Sequence, residues 1–289
     1  MNFVTLLNIN FLYIKRTLTF TLPRSYYGVK GQLHMKFIIE TLDKRNVILK
    51  DLLKAGGLDV QDYNLHEKDK KNAAGQNTCF IFSPAKKISA EEAVKFPAGI
   101  KVFAGNINPE VQKVFEAKNI THINFMTDDV FAYKNALLTA EGTLAEIMLS
   151  GEKSLFGNKY LLLGYGRCTK TLALILSKLG IKYDIASFTE KHGESCIFAE
   201  KTYFKYEFLE DLKNYDMIIN SIPHKIFEDD MLLRFKPGAC LLEIASVNCI
   251  NADAVKNFKY VLCPALPQKY TCKSAAALMY QKITHSCDI

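Results

Sequence analysis

The run LLLGYGRCTK, residues 161–170, sets Gly164 and Gly166 directly after an apolar stretch and just before a helical one. In a strand–turn–helix unit the first glycine lets the chain turn tightly and the second lets backbone approach a pyrophosphate. A third, one turn into the helix, lets helix and strand pack closely. That third position is Thr169 here. Phosphate is held by the N–H groups and positive end of the helix that opens near Cys168, and a threonine removes neither. Gly164, Tyr165, Gly166, Arg167, Cys168 and Thr169 are therefore the expected dinucleotide contacts, with the threonine hydroxyl as a further donor to phosphate. The plainer reading is a strand-to-helix turn that binds nothing.

Two further stretches bear on this chemistry. The next strand, IKYDIASFT, ends at Ser187, Phe188 and Thr189, where an NAD site would carry an acid for the ribose diol. Asp184 falls too early and reads as an exposed or edge carboxylate. With no acid at the tip, Arg167, Lys191 and the nearby hydroxyls point to NADP over NAD. NSIPH, residues 220–224, follows a later strand and is expected beside the nicotinamide ribose, Ser221, Ile222 and Pro223 positioning the cofactor. His224 is the candidate proton acceptor, imidazole being the side chain most often used as a general base, with Ser221 beside it in the catalytic set. The alternative for His224 is a solvent-facing loop residue.

From Met35 onward, short apolar runs alternate with helical periodicity, the pattern of parallel strands joined by crossover helices. KFIIE, LDVQDY, TCFIFS, IKVFAG and THINF supply a first set of strands, with helices at 46–57, 89–95 and 109–118. KYLLLGYG, IKYDIAS, 201–204, YDMIIN, ACLLEIA and KYVLCP supply a second. The expected organisation is a smaller flavodoxin- or Rossmann-like α/β domain at 35–134 and an interdomain helix at 135–152. A doubly wound, Rossmann-like domain follows at 153–289, its last helix packing back on the first.

The chain carries a formal charge of +7, yet Lys15, Arg16, Arg24 and Lys30 supply more than half of it within residues 1–34, which hold no carboxylate. The remainder shows no basic stripe, which argues against nucleic-acid binding. Residues 1–34 read as an upstream extension, the other reading being a targeting or membrane-surface helix; their positive charges follow the apolar stretch instead of preceding it. No run reaches the roughly 18 apolar residues of a membrane span. Eight cysteines without a C-x-x-C pair read as reduced thiols of a cytoplasmic protein, with no metal site.

With these elements in place, NALLTAEG, GYGRCTKTLA, IINSIPHKIF, EIASVN and PALPQKYTCKSAA together resemble the dipicolinate synthase family, specifically its A subunit, whose patterns include TAEG, GxGRxGxxxA, NTIP, DLAS and GLPGxxAPxTAG. FAGNINPEVQ, MTDDV and the Asp43-x-Arg45 pair extend the resemblance into the first half, so that it spans Met35 to about Ile283. It implies a two-domain oxidoreductase that uses NADP or NAD to oxidise dihydrodipicolinate during sporulation, with the flavoprotein-like B subunit of dipicolinate synthase as partner. The departures are specific: Thr169 replaces a glycine, Phe188 an arginine, and Ala265–Gln268 replace Gly-Leu-Pro-Gly. A small dicarboxylate wants guanidinium or ammonium partners. Only Arg45, Arg167 and Arg234 follow Met35, which leaves Arg45 as the first candidate and Lys273 as a second, each with an ordinary solvated charge as the alternative. Asn135 and Thr139 share a face of the interdomain helix and complete the expected substrate set; Thr139 and Glu141 could instead cap that helix. Glu243 either accepts loop N–H groups or faces the cleft. Two other functions stay open, a non-catalytic Rossmann-fold subunit of a complex and an enzyme of the 2-hydroxyacid dehydrogenase kind, as does a homo-oligomer.

Overall fold

A computed structural model describes residues 35–63, 77–151, 153–189 and 198–289; the extension 1–34, Lys191 and Cys196 lie outside the described residues. The first sheet contains β1 (Lys36–Ile39), β2 (Asp59–Asp62), β3 (Thr78–Ile81), β4 (Lys101–Ala104) and β5 (Thr121–Asn124) in the order β2-β1-β3-β4-β5. Every pairing is parallel. Helices α1 (Lys44–Ala55), α2 (Ala90–Val94) and α3 (Pro109–Ala117) make the crossovers. Parallel sheets are covered on both faces, which is why TCFI in β3 is buried at all four positions.

The second sheet contains β6 (Tyr160–Leu163), β7 (Tyr183–Ser187), β8 (Thr202–Phe204), β9 (Met217–Asn220), β10 (Cys240–Glu243) and β11 (Lys259–Leu262) in the order β11-β10-β9-β6-β7-β8. It is also all parallel. This is the doubly wound order in which the strand sequence reverses between β6 and β9, opening a crevice at their carboxyl ends. The first sheet has its own reversal between β1 and β3.

Helix α4 (Asp129–Ser150) joins the halves. It begins six residues before the Asn135 expected from sequence, because Asp128 accepts a hydrogen bond from the Phe131 N–H at 2.9 Å and caps the helix there. After β11 the chain returns through α6 (Leu266–Tyr270) and α7 (Cys272–Ser286), the intervening helix of the second half being α5 (Arg167–Lys178). Leu266 of α6 belongs to the apolar core of the second sheet, whereas Ala276, Leu278, Met279 and Ile283 of α7 pack with Phe37, Ile39, Leu49 and Leu53 under the first. Two helical crossings therefore connect the cores. Among the described residues no helix is long and apolar enough to cross a membrane.

Candidate functional site

The buried YLLL run of β6 lies at the middle of the second sheet and delivers the glycine turn to the crevice beside β9. Gly164 has φ +86°, a left-handed conformation that glycine adopts without strain, and its N–H bonds Ala186 O at 2.9 Å. A Cβ there would stand 2.9 Å from both Ile222 Cγ1 and Ser221 Oγ, so β6 and the loop after β9 approach too closely for any side chain. Gly166 differs. It is exposed, and a Cβ added to it would meet no atom within 4 Å. It heads α5 without a side-chain cap, whereas α1, α2, α3 and α4 are capped by Asp43, Ser89, Asn108 and Asp128. The first-turn N–H groups of α5 thus keep their donors for an anion in the space Gly166 leaves open.

Several residues assigned to the cofactor from sequence are occupied elsewhere. Thr169 is fully buried and donates to Ser221 Oγ at 2.6 Å, and Ser221 in turn donates to Leu163 O at 3.1 Å. This hydroxyl relay ties α5 to β6 and β9, the contact a third glycine makes by bare packing, so neither hydroxyl is spent on phosphate or substrate. Ser187 donates to Thr189 O at 2.9 Å and closes a tight turn at the end of β7. Phe188 packs edge-on to Tyr206 at 5.2 Å between ring centres and forms an apolar wall where the ribose acid would stand. Asp184 is buried rather than exposed; it accepts from the Tyr215 hydroxyl at 2.6 Å, and burial together with that carboxylate pushes the Tyr215 phenol well up. Tyr165 is half-buried beneath the Lys170 ammonium, 5.0 Å from its ring centre.

The loop after β9 is braced from below. Asn220 donates to Glu243 Oε1 at 2.8 Å and to Ile222 O, and accepts from Ile222 N–H at 3.1 Å. Glu243 also takes the N–H groups of Ala245 and Cys249, at 3.1 and 2.9 Å. Of the two roles open to this buried carboxylate, the structure gives it the loop N–H groups. The bracing fixes Ile222, which is buried, and presents Pro223 and His224, which are exposed.

The carboxyl edge of the first sheet faces this crevice, since Arg167 Nη1 reaches across from α5 to Met126 O, just after β5, at 3.3 Å. At the β1/β3 reversal Arg45 is 4% exposed and bound to Asp43, with Nε 3.0 Å from Oδ1 and Nη2 2.5 Å from Oδ2. Its Nη2 also donates to Ser83 Oγ at 2.9 Å, and Ser83 donates to Asp43 at 2.7 Å. Burial opposes ionisation of Asp43, but Arg45 and Ser83 outweigh it and hold the carboxyl below its ordinary value. Arg45 is thus a neutralised, buried group and not the open guanidinium expected for a dicarboxylate. Asn46, which sequence reasoning passed over, donates to Glu40 O at 2.7 Å and leaves its Oδ1 buried without a partner among the described residues. Only its place three residues past Asp43, on the inner face of α1, could have signalled it.

Thr139 is buried in mid-helix, its hydroxyl donating to Asn135 O at 2.9 Å, which rules out the capping role. It lies against Cys168, whose thiol burial pushes up. The structure therefore brings Thr139 to the start of α5 but spends its proton on the helix. Asn135 is half-buried, and Lys273 is exposed on the first turn of α7.

No family model matches the chain. It is 25% identical over 193 residues to the A subunit of dipicolinate synthase from Bacillus subtilis (strain 168), a match spanning 63% of this chain and 63% of that relative's length. The crystal structure of the A subunit of dipicolinate synthase from Bacillus halodurans superposes with a TM-score of 0.74 at 17% identity, over 89% of this chain and 98% of that one. NAD-dependent formate dehydrogenase from Staphylococcus aureus, solved in complex with NAD, shares the two-sheet arrangement at TM-score 0.55 and 14% identity, over 88% and 95% of the chains. In both sequence and fold, the chain is similar to the A subunit of dipicolinate synthase and stands as a distant relative of it.

Proposed function

We propose that this chain is an NAD(P)-dependent oxidoreductase subunit of the dipicolinate synthase kind, oxidising dihydrodipicolinate during sporulation with a flavoprotein-like second subunit. The observation that carries this reading is the uncapped start of α5 with open space at Gly166, placed where the order of the second sheet reverses. The formate dehydrogenase of the same fold holds NAD, and the curated relative is a dipicolinate synthase subunit.

In this reading the N–H groups of Arg167, Cys168 and Thr169 hold the diphosphate, and Phe188 forms the wall beside the ribose. Ile222 and Pro223, stiffened through Asn220 and Glu243, border the nicotinamide, which when bound supplies the hydride acceptor. His224 takes up the proton released on aromatisation. Lys273 and Arg167, exposed cations, meet the substrate carboxylates with Asn135, while the Arg45–Asp43–Ser83 cluster stiffens the opposite edge.

The test is turnover of dihydrodipicolinate by the full chain with its flavoprotein-like partner, with NAD or NADP, followed by reduced-nicotinamide absorbance. Equal amounts of dipicolinate and reduced cofactor are expected, and His224→Gln lowers the rate about 100-fold without loss of cofactor binding. No turnover with either cofactor would overturn the substrate assignment.

A further inference from the structure

Cys79 lies in β3 and is fully buried; Cys287 follows α7 and is 8% exposed. Their sulfurs are 3.9 Å apart although 208 positions separate them in sequence. A disulfide needs about 2.05 Å, so forming one draws two neighbouring sulfurs together. The register partner of Cys79 on β4 is Lys101, whose positive charge acts on both sulfurs. The hydrogen bond between the two sulfurs and that charge hold the Cys287 thiol below its ordinary value against the opposing effect of burial. Elsewhere burial dominates, pushing Cys240 up to about 11 and Cys263 up to about 12. The Cys287 thiol is thus the more readily ionised of the two, and Cys79 stands within contact to resolve it.

We propose that Cys79 and Cys287 are a redox-sensitive pair that a peroxide oxidises to a disulfide, fastening the last helix to the first sheet. The Cys287 thiolate attacks a peroxide oxygen; the O–O bond breaks, hydroxide leaves and is protonated to water, and a sulfenic acid remains. Cys79, losing its proton, attacks that sulfur, and the S–S bond forms as the S–O bond breaks and a second water leaves. Two thiols give up two electrons and two protons, and one hydrogen peroxide becomes two waters. Because α6 is anchored in the second core and α7 in the first, the bond secures the far end of this crossing.

The full chain, folded, is treated with hydrogen peroxide, its remaining thiols are blocked with N-ethylmaleimide in denaturant, and it is digested without reductant for mass spectrometry. The expected product is a joined peptide pair bearing Cys79 and Cys287, two hydrogens lighter than the separate peptides. A melting temperature raised by about 5 °C accompanies it and reverts with dithiothreitol. Cys287→Ser, with a circular dichroism spectrum like that of wild type, loses both effects. Recovery of the two peptides singly, as maleimide adducts or sulfinic acids, or of Cys79 joined to another cysteine, overturns the proposal. The mass result is read on the wild-type chain, so it holds whether or not a variant folds.

Discussion

Gly164 and Gly166 are two residues apart and do unlike things. At Gly164 a methyl group meets both a left-handed backbone and contacts at 2.9 Å with the loop after β9. Gly164→Ala therefore costs about 2–4 kcal/mol, read as a lowered melting temperature. At Gly166 the φ of −81° suits any residue and the space is empty, so Gly166→Ala leaves melting unchanged and weakens dinucleotide binding instead. Equal melting losses in both variants would contradict this division. Both glycines were legible in the sequence. The fate of Thr169, Ser221 and Asp184 was not, because each is settled by a partner 31 to 58 positions away: Ser221 Oγ, Leu163 O and the Tyr215 hydroxyl. Arg45 was found as a residue and misjudged in role, since the Ser83 that completes its cage comes from the loop after β3, 38 positions away.

At the scale of elements, the amino edge of the second sheet is tied together by one carboxylate. Asp216 lies just before β9 and accepts from Lys236 Nζ at 2.6 Å, Lys153 Nζ at 2.9 Å and the Lys159 N–H at 3.0 Å. Burial pushes its carboxyl up, but these three donors prevail and bring it from 3.8 down to about 2. A depressed folded pKa stabilises in full above the unfolded value, and the contribution is lost as pH falls through the folded one. The wild-type chain should therefore lose melting temperature more steeply than Asp216→Asn as pH falls from 3.8 to about 2; parallel acid limbs would refute this. The strands were legible from their apolar runs, since buried parallel strands leave little else in sequence. The start of α4 was less so, because the Asp128 cap precedes the apolar periodicity by several residues.

At the scale of the molecule, two sheets present their carboxyl edges to each other and are held by α4 and by the return through α6 and α7. Asp128 binds Lys282 at 2.6 Å and Glu146 binds Lys269 at 2.5 Å, so each end of α4 is pinned to the returning chain. Between them Arg167 spans from the glycine turn to Met126. Among the described residues, α5 is where an uncapped helix start meets open space at a strand reversal, and a bound dinucleotide would lay its diphosphate there. The most direct test is fluorescence titration of NADH and of NADPH with the full chain, beside Gly166→Val. Saturable binding of at least one nucleotide by the wild type, lost in the folded variant, is the predicted result. No fluorescence change with either nucleotide, or binding that Gly166→Val leaves intact, would contradict it.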